Sequence, residues 1–402
     1  MHNLIIYELN EVPFKVLNWF CDTYPNSALN HLKQHSRIYE TYASDEGHLS
    51  PWITWPTVHR GINNQLHEIS DFGKNLDAVD KDFPPVWKIL LNKGIKVGLF
   101  GSLHSYPVPK NKDSLCFYVP DTFAAGSECF PKKLEIFQKF NLKMVQQNVR
   151  NVNSKIFLKE GLEFILNSPF LGTNFDTHLQ IGNQLISEIK NKNRVVRRRS
   201  LQMRLAFDIF YKNLVKTEPQ CSFFFTNHVA SSLHRYWPGL FPNDYKIKQY
   251  DQEWMNQYSG EIEHAMFEVN RQIKYLVEFT KTRPQYKILV LSSMGQEAVQ
   301  HTVSISKQIL IMNFAKFMKM LGLEHGDWTK LPSMAPQFSL KINHDKILKF
   351  KQKMLSITVN GIQFRETNSY EVADVSFSHI SDDTFRLHLG IQNADHLSIH
   401  FE

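Results

Sequence analysis

A doubly wound α/β fold, with a mostly parallel sheet and helices on both faces, is predicted for this chain by two observations. Helical stretches run repeatedly into short, strongly apolar segments, over Pro85–Ser102, Arg197–Asn227 and Asp251–Ser293. Parallel strands need crossover connections, usually helices, and this alternation is their signature. Each apolar segment then gives way abruptly to polar or imidazole residues, as strands do where they leave a sheet.

Taken in order, NLIIYELNE opens as a short buried strand, and PFKVLNWFCDTY follows at helical spacing with Pro13 suited to a first turn. In FPPVWKILLNKGIKVGLFGS, Pro84-Pro85 precede a helix, Gly94 ends it and KVGLFGS is a buried strand. Residues 131–193 are polar and mostly helical, and read as an insertion or cap. RRRSLQMRLAFDIFYKNLVK is an amphipathic helix leading into the strand CSFFFTN. The stretch from Tyr250 to Thr282 reads as one long helix before the strand YKILVLSS. From about residue 331 to 402, short alternating strands and the Asn360-Gly361 turn signal predict a small α+β appendage. The main α/β domain is thus expected over 1–330.

Composition narrows the function classes. Lys+Arg number 46 against Asp+Glu 39, a net charge of +7, which favours anionic ligands: phosphate or sulfate esters, acidic glycans, lipid-linked intermediates or a membrane face. Nucleic acid is not expected, because zinc-finger spacing, an aromatic ribonucleoprotein-type strand and a basic tail are all missing. The densest basic run, Asn193 to Arg204, reads as a solvated helix face or a surface for peripheral membrane contact. Four widely spaced cysteines, without C-x-x-C, suggest neither disulfides nor a zinc knuckle, and the expected compartment is the cytoplasm.

Ligands in open α/β sheets bind beyond the C-terminal strand ends, so the residues there are the site candidates. They are Glu8, Asn10 and Glu11 after the first strand, and Ser102, His104 and Tyr106 after the second. Asn227, His228, Ser231, Ser232, His234 and Arg235 follow the third, and Ser292, Ser293, Gln296, Glu297 and His301 the last. Four such ends on one sheet edge make a polar pocket. A further stretch, HLSPWITWPTVHRG (His48–Gly61), sets hydroxyls, His59 and Arg60 among two Trp and two Pro, as a loop entering a helix does.

The order and spacing of these segments resemble the alkaline phosphatase superfamily, in its type I phosphodiesterase and phosphomutase-like branches. IIYELNEV occupies the place of the first strand, with Asn10 where an acidic metal ligand is usual and Glu11 beside it. WITWPTVHRGINNQLHEI is similar to the nucleophile helix, with Arg60-Gly61 for Thr-Gly and His67-Glu68 for His-Gly. FTNHVASSLHRYW places His234 at the family's later His, and VLSSMGQ has Ser293 and Met294 where Asp and His are usual. The resemblance covers roughly residues 3 to 310. It implies an alkaline phosphatase-like fold and a hydrolase or transferase of phosphate or sulfate esters or phosphodiesters, in a bacterial subgroup with degenerate metal ligands.

The departures shape what is expected of the site. With the usual acids replaced, a full two-metal site is not expected; a single divalent ion (Zn, Mn or Mg) on Glu11, His228 and His234 is the reduced alternative. The family's nucleophile position falls on Pro51, next to Ser50. The catalytic candidates are Ser50, His59, His228 and His234, with the positive end of the helix beginning at Pro51 attracting an oxyanion. Asn10, Arg60, His104, Asn227, Ser293 and Gln296 are the candidates for binding substrate. The competing expectation is a relative that binds an anionic ligand, or scaffolds a membrane-proximal assembly, without chemistry.

Overall fold

The computed structural model describes the chain outside residues 1, 48, 71–74, 148–157, 247–249, 301–305, 310, 312, 332, 334–337, 368–374, 393–398 and 402. Two compact units form. Met1–Phe72, Leu76–Leu142 and Lys155–His301 make the larger, and Gly73–Asn75, Lys143–Ser154 and Thr302–Glu402 the smaller.

The larger unit is built on a five-stranded sheet of β1 (Asn3–Leu9), β2 (Val97–Phe100), β3 (Leu115–Val119), β4 (Cys221–Thr226) and β5 (Tyr286–Leu291), in the order β3-β2-β4-β1-β5. Every pairing is parallel. Central β1 runs from Leu4↔Cys221 to Leu9↔Thr226 on one side and from Asn3↔Tyr286 to Glu8↔Leu291 on the other. All five C-terminal ends therefore reach the same edge.

The connecting helices are α1 (Phe14–Thr23), α2 (Ala28–Gln34), α3 (Pro51–Arg60), α4 (Asn64–His67), α5 (Asp77–Asp82) and α6 (Val86–Asn92), then α7 (Glu135–Gln147), α8 (Leu158–Leu171) and α9 (Phe175–Lys190), then α10 (Arg198–Thr217), α11 (His228–Leu240), α12 (Gln252–Tyr258) and α13 (Glu261–Lys281). They cover both sheet faces. Ile5, Tyr7 and Phe224 join a core with Phe20 of α1, Phe210 of α10, Leu233 of α11 and Ile273 of α13. On the other face Val97, Leu99 and Phe223 pack with Trp87 and Leu91 of α6. The α/β class and the helices on both faces follow from the sequence periodicities; the long helix expected over residues 250–282 does not hold as one piece. It breaks at Ser259-Gly260 into α12 and α13. Edge strand β3, a five-residue run between Asp113-Ser114 and Pro120-Asp121, was not expected from the sequence.

The basic run at the start of α10 is not a solvated face. Arg194 and Arg197 both bind the buried carboxylate of Glu261, at 2.7 and 2.9 Å. Arg198 binds Glu188 at 2.5 Å, and Arg204 bridges Glu268 and Asp176. Arg197 and Arg198 each take a fork-like contact through Nε and Nη2 that Lys would not make. Four arginines of the run are thus engaged in internal ion pairs.

The smaller unit has its own core, including Leu340, Phe350, Phe377, Phe385 and Leu387. Its strands are largely antiparallel, with Val375–Ser381 and Phe338–Ile342 flanking Thr384–Gln392. Asn360 and Gly361 both have positive φ, 50° and 77°, and join the antiparallel pair Ile357–Val359 and Ile362–Gln363. That is the primed hairpin turn Asn-Gly favours.

One strand position in the larger unit tolerates no side chain. A Cβ on Gly98 in β2 would overlap the ring of Phe117 on β3, itself fully buried. Gly98→Ala is expected to destabilise the fold by about 1–3 kcal/mol through overpacking, read as a lowered urea midpoint at unchanged slope.

Candidate active site

Polar side chains at the C-terminal edge lose water as the sheet packs, and must find partners among themselves. Asn10, just past β1, is the hub. Its Nδ2 donates to Glu11 Oε1 (3.0 Å) and to Asn227 Oδ1 (2.7 Å). Its Oδ1 accepts the indole N–H of Trp55 on α3 (2.7 Å). The end of β1, the end of β4 and the flank of α3 are thus joined through one amide.

Glu11 extends the cluster. The residue sits in the left-handed region, φ 56°, a conformation that favours glycine and is held here by its surroundings. The carboxylate is buried, yet its Oε2 meets His234 Nε2 of α11 at 3.0 Å and accepts from the Gln296 amide. The His234 side chain is 59% exposed. The Gln296 amide nitrogen lies 3.0 Å from the same ring nitrogen; in the tautomer whose Nε2–H donates to Glu11, Nδ1 is the basic nitrogen, the arrangement of a general base with its orienting acid.

On the other side of the hub, Thr54 and Ser293 join α3 to the segment after β5. The Thr54 hydroxyl lies 3.2 Å from the Ser50 carbonyl and 2.8 Å from the Ser293 hydroxyl. Donating to the first, it accepts from the second. Ser50 takes the N-cap position, with Pro51 at N1, but its hydroxyl does not bond the helix amides. The Ser50 carbonyl instead receives both Ile53 and Thr54 N–H, each at 3.0 Å. Since Pro51 has no N–H, the first turn offers an oxyanion fewer amides than a helix start ordinarily does.

The structure thus joins Asn10, Glu11, Asn227, His234 and Gln296 through hydrogen bonds, while Ser293 and the Ser50 carbonyl meet at Thr54, next to Trp55 on α3. Four other candidates lie elsewhere. His228 opens α11 and turns inward, its Nδ1 2.6 Å from the Thr226 hydroxyl and its Nε2 3.0 Å from the Ala265 carbonyl. With both ring nitrogens engaged, it serves neither as a catalytic base nor as a metal ligand. Six residues along a helix is a rotation of about 240°, so His228 and His234 face apart. His59 is buried beneath α3, with Nε2 2.7 Å from Glu8 Oε1, while Ser102 holds Glu8 Oε2 at 2.7 Å. Arg60 pairs with Asp80 at 2.7 Å and donates to the Phe83 carbonyl, which makes it an anchor for α5 and not an anion-binding group. His104, also at positive φ, points Nε2 at the Trp52 carbonyl (3.0 Å), and desolvation pushes its pKa down to about 3. His67 sits between the Thr57 hydroxyl and the Ile69 amide. His301 lies outside the described residues.

Two residues of interest escaped sequence reasoning. Thr54 is not among the sequence candidates, although four residues after Ser50 means the same face of α3. Asp121, beyond the unexpected β3, is a buried carboxyl that accepts the Phe123 amide at 2.8 Å; burial raises its pKa to about 6.

The side chains present do not fit a two-metal centre. Such a site needs several carboxylates and imidazoles around each ion, whereas the described residues of the rim present three amides, hydroxyls and the Glu11–His234 pair. Among the described residues, no three His, Cys, Asp or Glu side chains are grouped to hold an ion. The three-ligand alternative fails with His228, and the remaining carboxylate, Glu11, already has protein donors on both oxygens.

No family model and no curated protein matches this chain. Among solved structures, phosphonoacetate hydrolase from Sinorhizobium meliloti 1021, in complex with phosphonoformate, is similar over 88% of this chain and 74% of that one, at 12% identity and a TM-score of 0.36. Similarity that low transfers no residue role, so the chemistry rests on the geometry of the rim.

The buried groups make stability depend on pH with opposite signs. Burial lowers the His228 pKa from 6.5 to about 4. Between those values the unfolded chain binds more protons, so the contribution of His228 is complete above pH 6.5 and is lost as pH falls toward 4. Asp121, raised from 3.8 to about 6, works the other way, and stability drops as pH rises through that interval. His228→Gln is expected to flatten the acid side of a urea-unfolding series between pH 4 and 7. Asp121→Asn is expected to raise stability above pH 6 and leave it unchanged near pH 4.

Proposed function

We propose that the rim of the larger unit is the active site of a hydrolase or transferase for phosphate or sulfate esters, with His234 as the general base and acid in place of a two-metal centre. The Glu11–His234 pair carries this reading: a buried carboxylate fixes one nitrogen of an imidazole whose ring faces solvent. In hydrolysis, Nδ1 of His234 takes a proton from water as its oxygen bonds to phosphorus or sulfur. The bond to the ester oxygen breaks, and the same proton passes to that leaving oxygen. Ser50 is the nucleophile if transfer precedes hydrolysis; its hydroxyl is not spent on capping α3. Left-handed backbone at Glu11 and His104 supports a functional edge, since such strain persists where the surroundings enforce it.

A second reading has support of its own. Asn10, Ser293 and Met294 stand where the resemblance calls for ionic ligands, and the Asn10 amide is already taken up by Glu11, Asn227 and Trp55. That favours an anion-binding protein without chemistry.

Turnover of generic phosphate mono- and diesters and sulfate esters by metal-stripped protein separates the two. For the enzyme, His234→Ala is expected to lower kcat/KM by about 10²–10⁴ with little change in KM. Glu11→Gln should lower it less and alter the acid limb of the pH profile. Undiminished turnover by His234→Ala overturns the general-base assignment. Absence of turnover in the unmodified protein, together with a thermal shift on adding phosphate or a sugar phosphate, selects the binding protein.

A further inference from the structure

Amphipathic helices of globular proteins turn their apolar stripe to the core. Helix α9 does the reverse. Its inward side, apart from Ile181 packed on the core, is polar: Thr177 donates to Asp208 (2.5 Å), Gln184 to the Arg194 carbonyl (2.6 Å), and Glu188 receives Arg198. Its outward side carries Phe175, Leu179, Ile186 and Ile189, exposed by 77%, 51%, 54% and 84%. An exposed contiguous apolar stripe marks an interaction site.

The pattern of the stripe identifies what it fits. With Gly182 included, the outward positions are spaced four, three, four and three residues apart. That is the 3.5-residue repeat of a seam between two helices. At Gly182 an added Cβ would meet nothing within 4 Å, leaving an opening for a neighbouring side chain. Asp176 and Lys190, both exposed, flank the stripe on one side at its opposite ends. Antiparallel packing of this helix against itself sets Asp176 of each chain beside Lys190 of the other, whereas parallel packing puts this flank of the two helices on opposite sides of the seam, so that Asp176 and Lys190 do not meet. A lipid surface has no register to match such a repeat and gains nothing from Asp176.

We propose that the outward face of α9 docks on α9 of a second copy of this chain, antiparallel, so that the protein dimerises about a two-fold axis near the middle of the helix. This inference is independent of the rim chemistry. The test is the mass of the full chain in solution by light scattering and sedimentation. A dimer is expected at about 100 µM. Leu179→Asp with Ile186→Asp should yield a monomer with unchanged circular dichroism, and with the thermal midpoint of the unmodified protein when both are diluted until the dimer has dissociated, because in the monomer both side chains stand in solvent. Asp176→Lys and Lys190→Asp should each raise the dimer Kd about tenfold, and the two together should restore it; restoration separates pairing between chains from loss of the Arg204 contact. A monomeric unmodified protein overturns the proposal, as does a dimer that the aspartate pair leaves intact. So does a monomer that sediments with phosphatidylserine-containing vesicles and loses that association in the aspartate variant, which would assign the stripe to lipid.

Discussion

The side-chain amide of Asn10 is the constraint on which the edge of the large sheet depends. A parallel sheet delivers all its C-terminal ends to one side, and polar groups there must be satisfied locally or remain costly once water is excluded. Asn10 meets that demand with two donors and one acceptor, all in use, toward Glu11, Asn227 and Trp55. Neutral hydrogen bonds thereby do the joining that metal ions do in a site rich in acids. A hub of this kind is geometrically strict, because every member is already engaged, and it orients Glu11 for His234.

A second buried polar group holds α3 on the sheet. Glu8 lies within β1, and its two oxygens are taken by His59 from α3 and Ser102 from the end of β2. His59 is stacked on Trp55 and meets Trp87 edge-on. The helix is thus clamped at both its middle and its C-terminal turn, with Gly61 in left-handed conformation closing it. His234, by contrast, stands in solvent on α11. The edge thus pairs a hydrogen-bonded floor with an accessible imidazole.

Much of the edge was legible before the structure. Strand ends are marked by an abrupt change from apolar to polar residues, and that change located Asn10, Glu11, Asn227, His234, Ser293 and Gln296. What was not legible is rotational phase and partner identity. His228 and His234 look equivalent in the sequence, yet one helix turns the first toward Ala265 and the second toward Glu11. Arg60 looks like an anion ligand until Asp80, twenty residues on, claims it. The Arg194–Arg204 run looks like a basic surface because Glu188, Glu261 and Glu268 are distant or unremarkable in the chain.

The amino-acid sequence by itself determined the alternation of helices with buried parallel strands and the collection of polar residues at one sheet edge. Both are local consequences of periodicity and of where apolar runs stop. Only the tertiary structure decided which of those residues meet, which charges cancel, and that α9 presents its apolar side outward. Those outcomes depend on pairings between segments as much as 285 residues apart, as between Glu11 and Gln296, and no local pattern encodes which of several equally polar groups will share a contact.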